Sequence, residues 1–252
     1  MRLQAGALHI WRADLDSAAG QTERLLDERE LERAGRIARE PVRRRWMAAR
    51  GVLRTLLGQY LDEDPMALRF ALGPHGKPAL DCASASGLHF SLSHSGGLAV
   101  YGLSETCAVG IDVELVSRRP RARAYSRDFL RAWVRHEAET KRLGAGGGGG
   151  PNRTHPADSN SWIGELPRGG DDPDRTGSAA SHPWIAELQL GRGAVGAVAL
   201  ATTPLDFQVY PVNFRSCGSI LPVGQTTPGG HESNVSKYWF QQEIQHQRGN
   251  AR

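Results

Sequence analysis

Lysine is nearly absent from this 252-residue chain: Lys77, Lys141 and Lys237 are alone in a basic complement that is otherwise arginine. Each lysine is therefore a position to explain. Cysteine is also scarce. Cys82, Cys107 and Cys217 lie far apart with no Cys-x-x-Cys spacing, which argues against a disulfide framework or a zinc site. No run of eighteen apolar residues occurs, and Met1-Arg2-Leu3-Gln4 lacks the apolar core of a signal peptide. The expectation is a protein without a membrane span and with a cytoplasmic address. Acid does not balance base: the formal net charge is +4, which favours anionic partners such as a phosphorylated cofactor, an acidic protein or nucleic acid.

What the chain does have is an ordinary apolar fraction of 39%, enough to build a packed core at this length. Val42, Trp46, Ala49, Leu53, Leu56 and Tyr60 recur at helical spacing and predict one helix over 41–61, with Pro41 in its first turn. A less regular helical stretch covers 22–39. Gly73-Pro74-His75-Gly76-Lys77-Pro78 breaks the chain into a loop. Short strands are expected over 88–93, 98–103 and 108–114, the first two joined at Ser95-Gly96-Gly97. A second helix is expected over 127–143, ended by Gly144, and a second hairpin over 184–190 and 194–202. Between them, 145–181 reads as a mobile Gly-rich loop, and 211–252 as a flexible tail with a short helix over 237–247. The order suggests an α+β fold of two similar halves, 1–104 and 105–210.

The chemistry concentrates in two spacings. Asp112 and Glu114 in Gly110-Ile111-Asp112-Val113-Glu114 are i and i+2 of a strand and point to one face. Trp133, Glu137 and Lys141 are i, i+4 and i+8 of a helix and share a stripe. Three carboxylates and an ammonium suit a hard divalent cation holding a phosphate ester. The plainer readings are a solvated strand edge and a surface ion pair worth about 0.3–0.5 kcal/mol. Trp46 and Trp133 read most simply as core residues. The run Arg118-Arg119-Pro120-Arg121-Ala122-Arg123 invites a nucleic-acid reading, yet it lacks interleaved aromatics. A solvated loop or a contact for an acidic partner accounts for it better.

Gly76-Lys77-Pro78, Phe90-Ser91-Leu92-Ser93-His94-Ser95-Gly96, Gly110 to Glu114 and Trp133 to Lys141 follow one another in a recognisable order. With these motifs the chain resembles the surfactin-synthetase-type 4′-phosphopantetheinyl transferases. The resemblance implies a pseudo-twofold α+β fold with coenzyme A and Mg2+ (or Mn2+) in the cleft between halves. It implies transfer of the phosphopantetheine arm of coenzyme A to a serine of an apo acyl or peptidyl carrier protein. The paired halves suggest a monomer, and the residues themselves suggest neither a membrane nor a nucleic-acid partner. By position, Asp112, Glu114 and Glu137 would hold the metal, Glu137 would also be the base, and Lys141 would contact phosphate. Ser93, His94 and Lys77 would meet coenzyme A phosphates, and Arg45 its 3′-phosphate.

Three features depart from the family pattern. The connection 115–132 is short, His136 stands where lysine is usual, and the segment after Tyr210 matches nothing in it. They motivate a second reading, a non-catalytic homologue that binds coenzyme A or a carrier protein. A basic nucleic-acid binder is a third.

Overall fold

A computed structural model describes residues 2–73, 76–81, 87–116, 125–145 and 183–212. All of them lie in the first of the two units into which the chain divides, Met1–Leu221. The arginine run 118–123, nearly all of the 145–181 segment, the expected 237–247 helix, Cys82 and Cys217 lie outside the described residues. No helix among the described residues is long and apolar enough to cross a membrane.

The architecture is mixed α+β. Strands β1 (Ala7–Asp14), β4 (His89–Ser95), β5 (Leu98–Ser104) and β9 (Asp206–Pro211) form one sheet in the order β4-β5-β1-β9. Within it β1 runs antiparallel to β5 and parallel to β9. Strands β6 (Val109–Leu115), β7 (Trp184–Glu187) and β8 (Ala194–Leu200) form a second, antiparallel sheet in the order β6-β8-β7. A separate hairpin pairs β2 (Phe70–Leu72) with β3 (Pro78–Leu80).

Alternation along the strands explains the layering. The odd positions of β1 and β5, including Trp11, Ala99, Tyr101 and Leu103, pack with Val52, Leu53, Leu56 and Leu57 of helix α3 (Glu40–Leu61). Their even positions, Leu8, Ile10, Leu98 and Val100, pack against Val109, Ile111, Val113 and Val198 of the second sheet. The far face of that sheet, through Val195, Ala197 and Ala199, meets Leu130, Trp133, Val134 and Ala138 of helix α4 (Arg127–Arg142). The result is four layers: helix, sheet, sheet, helix. Two short helices, α1 (Leu15–Ala18) and α2 (Glu28–Gly35), flank α3.

The expected helices over 41–61 and 127–143 match α3 and α4, and each starts where its chemistry says. Pro41 occupies the first turn of α3, where its missing N–H is no loss. The Ser126 side chain accepts from Phe129 N–H at the start of α4. The stretch 22–39 is instead a 3₁₀ turn, Glu23–Leu25, followed by α2. Asp27 and Glu30 form a reciprocal capping box that fixes where α2 begins. Strands β1, β2, β3 and β9 are additions to the sequence reading, and Pro78, read as part of a loop, opens β3.

Candidate active site

Strand β6 is the edge of its sheet, so its outward backbone groups lack a neighbouring strand. Serines of β4 cover them. Ser91 Oγ accepts from Ile111 N–H at 3.2 Å and Ser95 Oγ accepts from Leu115 N–H at 3.2 Å. In the same seam Ser93 Oγ donates to Asp112 Oδ1 at 2.7 Å, and Ser95 Oγ donates to Glu114 Oε2 at 2.8 Å. Serines at 91, 93 and 95 thus share one face of β4 and fix the two acids of β6, while Phe90 and Leu92 face the core on the α3 side.

Helix α4 lies close over β6 because residue 110 is glycine. A Cβ there would sit 1.9 Å from the carbonyl oxygen of Ala138 and 2.4 Å from the backbone nitrogen of Arg142. This near contact brings the α4 stripe to the acids. Lys141 Nζ donates to Asp112 Oδ1 at 2.6 Å and to Ser93 Oγ at 3.1 Å. Glu137 is buried, and burial, Asp112 and Glu114 push its carboxyl group up to about 7 against the opposing pull of Lys141. Burial also raises Glu114, with Asp112 adding to it and the Ser95 hydrogen bond opposing it.

These groups open onto a cavity of about 690 Å³. Lys77, Ser93, His94, Asp112, Glu114, Glu137 and Lys141 all line it, so seven of the eight residues singled out by sequence share one space. Arg45 does not line it. It pairs bidentately with Asp16 on the exposed surface, at 2.7 and 2.8 Å. Lys77 is tied to the framework: its Nζ donates to the carbonyls of Lys141 at 2.7 Å and Val109 at 3.0 Å. Burial and the neighbouring Lys141 and Arg142 lower its pKa. His94 is likewise pushed down, mainly by burial and then by Lys141 and Arg45. Trp133 is buried as expected, whereas Trp46 is half-buried and lines the cavity beside Arg33 rather than sitting in the core.

The donor set fits a hard divalent cation in its chemistry. The candidate ligands are all carboxylate oxygens, burial and then the neighbouring carboxylates raise Glu114 and Glu137, and Asp112 Oδ2 is buried without a hydrogen-bond partner among the described residues. Among the described residues, however, no three His, Cys, Asp or Glu side chains are gathered as a ready cage. The Lys141 ammonium serves Asp112 Oδ1 in that place.

Sequence reasoning passed over Ser91 and Ser95, whose signal was present in the alternation of Phe90-Ser91-Leu92-Ser93-His94-Ser95. It also passed over the opposite wall of the cavity, where Asp27, Glu30, Arg50 and Phe70 stand. The Asp27-x-x-Glu30 capping pattern could have drawn attention to that segment.

No protein-family model matches the chain. Two known proteins do. The 4′-phosphopantetheinyl transferase HetI of Nostoc sp. (strain PCC 7120) is 41% identical over 118 residues, which cover 45% of this chain and 50% of that protein. The Synechocystis sp. protein slr0495, provisionally named for the same activity, is 28% identical over 156 residues, covering 54% of this chain and 63% of its own length. The chain spans about half the length of the first relative and under two thirds of the second. Over that extent it is similar to 4′-phosphopantetheinyl transferases.

Proposed function

We propose that the protein is a 4′-phosphopantetheinyl transferase of the holo-[acyl-carrier-protein] synthase kind. It moves the phosphopantetheine arm of coenzyme A to a serine of an apo acyl or peptidyl carrier protein. The observation that carries this reading is the single cavity lined by Asp112, Glu114 and Glu137 together with Lys77, His94 and Lys141. Hard oxygen donors beside three basic side chains match a diphosphate accompanied by a divalent cation. The similarity to transferases of the same activity supports it.

In this reading Asp112, Glu114 and Glu137 would hold Mg2+ or Mn2+, which would supply charge neutralisation on the diphosphate. The carrier serine oxygen bonds to the β-phosphorus as the bond from that phosphorus to the bridging oxygen breaks. Adenosine 3′,5′-bisphosphate leaves with the bridging oxygen. Glu137 takes the serine proton, a role suited to a carboxyl group that burial has made more basic than usual. Lys141, already aligned by Asp112 and Ser93, stabilises charge on the transferring phosphoryl group. His94 and Lys77 meet the other phosphates, and Arg45 would reach the 3′-phosphate only by leaving Asp16. The finer architecture proposed with this activity is two pseudo-twofold halves, 1–104 and 105–210, with the site between them; of the expected 211–252 tail, Pro211 ends β9 and Val212 N–H donates to the Arg12 carbonyl at 2.7 Å, so these two residues belong to the first sheet. The protein would work as a cytoplasmic monomer, away from membranes and nucleic acid.

Purified protein incubated with coenzyme A, Mg2+ and apo carrier proteins should add the phosphopantetheine mass to a carrier, and a chelator should abolish the shift. Absence of any shift across fatty-acid, polyketide and peptide carriers sinks the proposal. The non-catalytic reading draws on the closed Lys141–Asp112 pair and the short 115–132 connection. Calorimetric binding of coenzyme A without transfer to any carrier would favour it.

A further inference from the structure

The cavity wall opposite the acids is built on charges that the proposed chemistry does not use. Arg54, in the middle of α3, is fully buried. Its Nε donates to Glu30 Oε2 at 2.6 Å and its Nη2 to Asp27 Oδ2 at 2.7 Å. Its Nη1 donates to the carbonyls of Pro65 at 2.8 Å and Leu68 at 3.0 Å. All three nitrogens of the guanidinium are therefore engaged.

Glu30 is shared between two arginines. Its Oε2 takes Arg54 and the Asp27 backbone N–H, while its Oε1 takes Arg50 Nε at 2.7 Å and Nη2 at 2.6 Å. Arg50 Nη1 has no hydrogen-bond partner among the described residues. The guanidinium carbons of Arg50 and Arg54 lie 4.6 and 5.1 Å from the centre of the Phe70 ring. Asp27, Glu30, Arg50 and Phe70 line the cavity, and Arg54 does not.

A buried ion network of this kind is a weak source of stability, because desolvation offsets much of its Coulombic gain. Its distinctive product is geometry. Arg54 ties the capping box of α2, the chain after α3 and the face of β2 to one rigid fork. What that fork fixes on the cavity side is Arg50.

We propose that Arg54 and Glu30 are positioning residues. They hold the Arg50 guanidinium and the Phe70 ring in place on the cavity wall, so that an anionic group of the substrate meets a preset Arg50 that Arg54 itself never lets move. The identity of that substrate as coenzyme A rests on the transferase reading; the positioning does not.

The test uses the full chain with Arg54→Lys, Arg50→Ala and the double variant, and Glu30→Gln as a second perturbation that keeps shape. A lysine cannot serve Glu30, Asp27 and both carbonyls together. Arg54→Lys should raise KM for coenzyme A roughly tenfold with kcat within about twofold, and the double variant should be no worse than Arg50→Ala alone. In nitrogen-edited NMR, the Arg50 Nε–H signal should shift and lose exchange protection in Arg54→Lys and in Glu30→Gln. Additive effects on KM, a fall in kcat alone, or an unmoved Arg50 signal would each overturn the proposal. Should the wild type bind no coenzyme A, the transferase reading falls, and the Arg50 signal alone decides the positioning. If Arg54→Lys does not fold, Glu30→Gln gives the same readout.

Discussion

Replacing Gly110 by alanine is the most severe single-methyl perturbation that the site can receive. The added Cβ meets backbone atoms of α4, at 1.9 Å from Ala138 O and 2.4 Å from Arg142 N, so no side chain can swing aside. An ordinary non-bonded contact is about 3.5 Å, which requires α4 to retreat by roughly 1.5 Å. Overpacking of this kind costs about 3 kcal/mol, at the upper end of its usual range. For a protein of this size that lowers Tm by roughly 6–12 °C. The same retreat carries Glu137 and Lys141 away from β6 and stretches the 2.6 Å Lys141–Asp112 contact beyond hydrogen-bonding range. A misplacement of this size costs about 10²-fold in rate. Thermal unfolding followed by circular dichroism measures the first effect, and the carrier-modification assay the second. Gly35→Ala, at the end of α2 with open space around its Cβ, serves as the control and should change stability by no more than about 1 kcal/mol. A Gly110→Ala protein with wild-type Tm and rate would refute the close approach of strand and helix.

Glu137→Gln keeps shape and one oxygen but removes the basic site, so turnover should fall by roughly 10²-fold or more while coenzyme A affinity changes little; near-normal turnover would return Glu137 to a structural role. Asp112→Ala should weaken metal-dependent binding as well, read by calorimetry with and without Mg2+. Tyr101→Phe removes a buried hydroxyl that donates to the Ala49 carbonyl at 3.1 Å; that carbonyl keeps its place in the helical ladder of α3, so urea unfolding should show the loss of one hydrogen bond, about 1 kcal/mol. His9, whose Nδ1 lies 2.6 Å from the Tyr60 hydroxyl, has its pKa lowered by burial. A depressed folded pKa means that the unfolded chain binds the proton first. The contribution of His9 is therefore complete above its unfolded value near 6.5 and is lost as pH falls through the lower folded value. Stability measured from about pH 7.5 down to about pH 5 should decline, and His9→Gln should flatten part of that decline; an unchanged slope would contradict it.

How much of this was legible in the sequence depended on burial. Helix α4 buries one stripe, so the spacing of Trp133, Glu137 and Lys141 announced it; α3 is covered all round over 51–58, and it was legible through the helical recurrence of its larger apolar residues, Leu53, Leu56 and Tyr60 among them. Strand β1 did not announce itself because both its faces are covered. Trp11 and Ala13 face α3 while Leu8 and Ile10 face the second sheet, so apolar and polar residues do not alternate. Strand β9 is parallel to β1 across most of the chain length, a pairing that no local pattern encodes. The acids and lysine of the site were visible as spacings. The Arg54 network was not, since its members at 27, 30, 50, 54 and 70 meet only after α2 has folded against α3. Arg45 shows the converse: an arginine assigned by motif position is committed to Asp16 in the structure.

The serine seam between β4 and β6 also has a temporal meaning. Asp112 and Glu114 sit on one sheet, and the hydroxyls that aim them belong to another. A one-residue slip of β6 against β8 would turn both acids to the opposite face and leave the serines facing valine and isoleucine. Two separate registers, one along the backbone ladder and one along the hydroxyl row, must therefore agree before the acids face the cavity. The site is complete only when both sheets are formed and in register. No intermediate with a single formed sheet can own this site, and loss of coenzyme A binding during unfolding should coincide with global unfolding instead of preceding it.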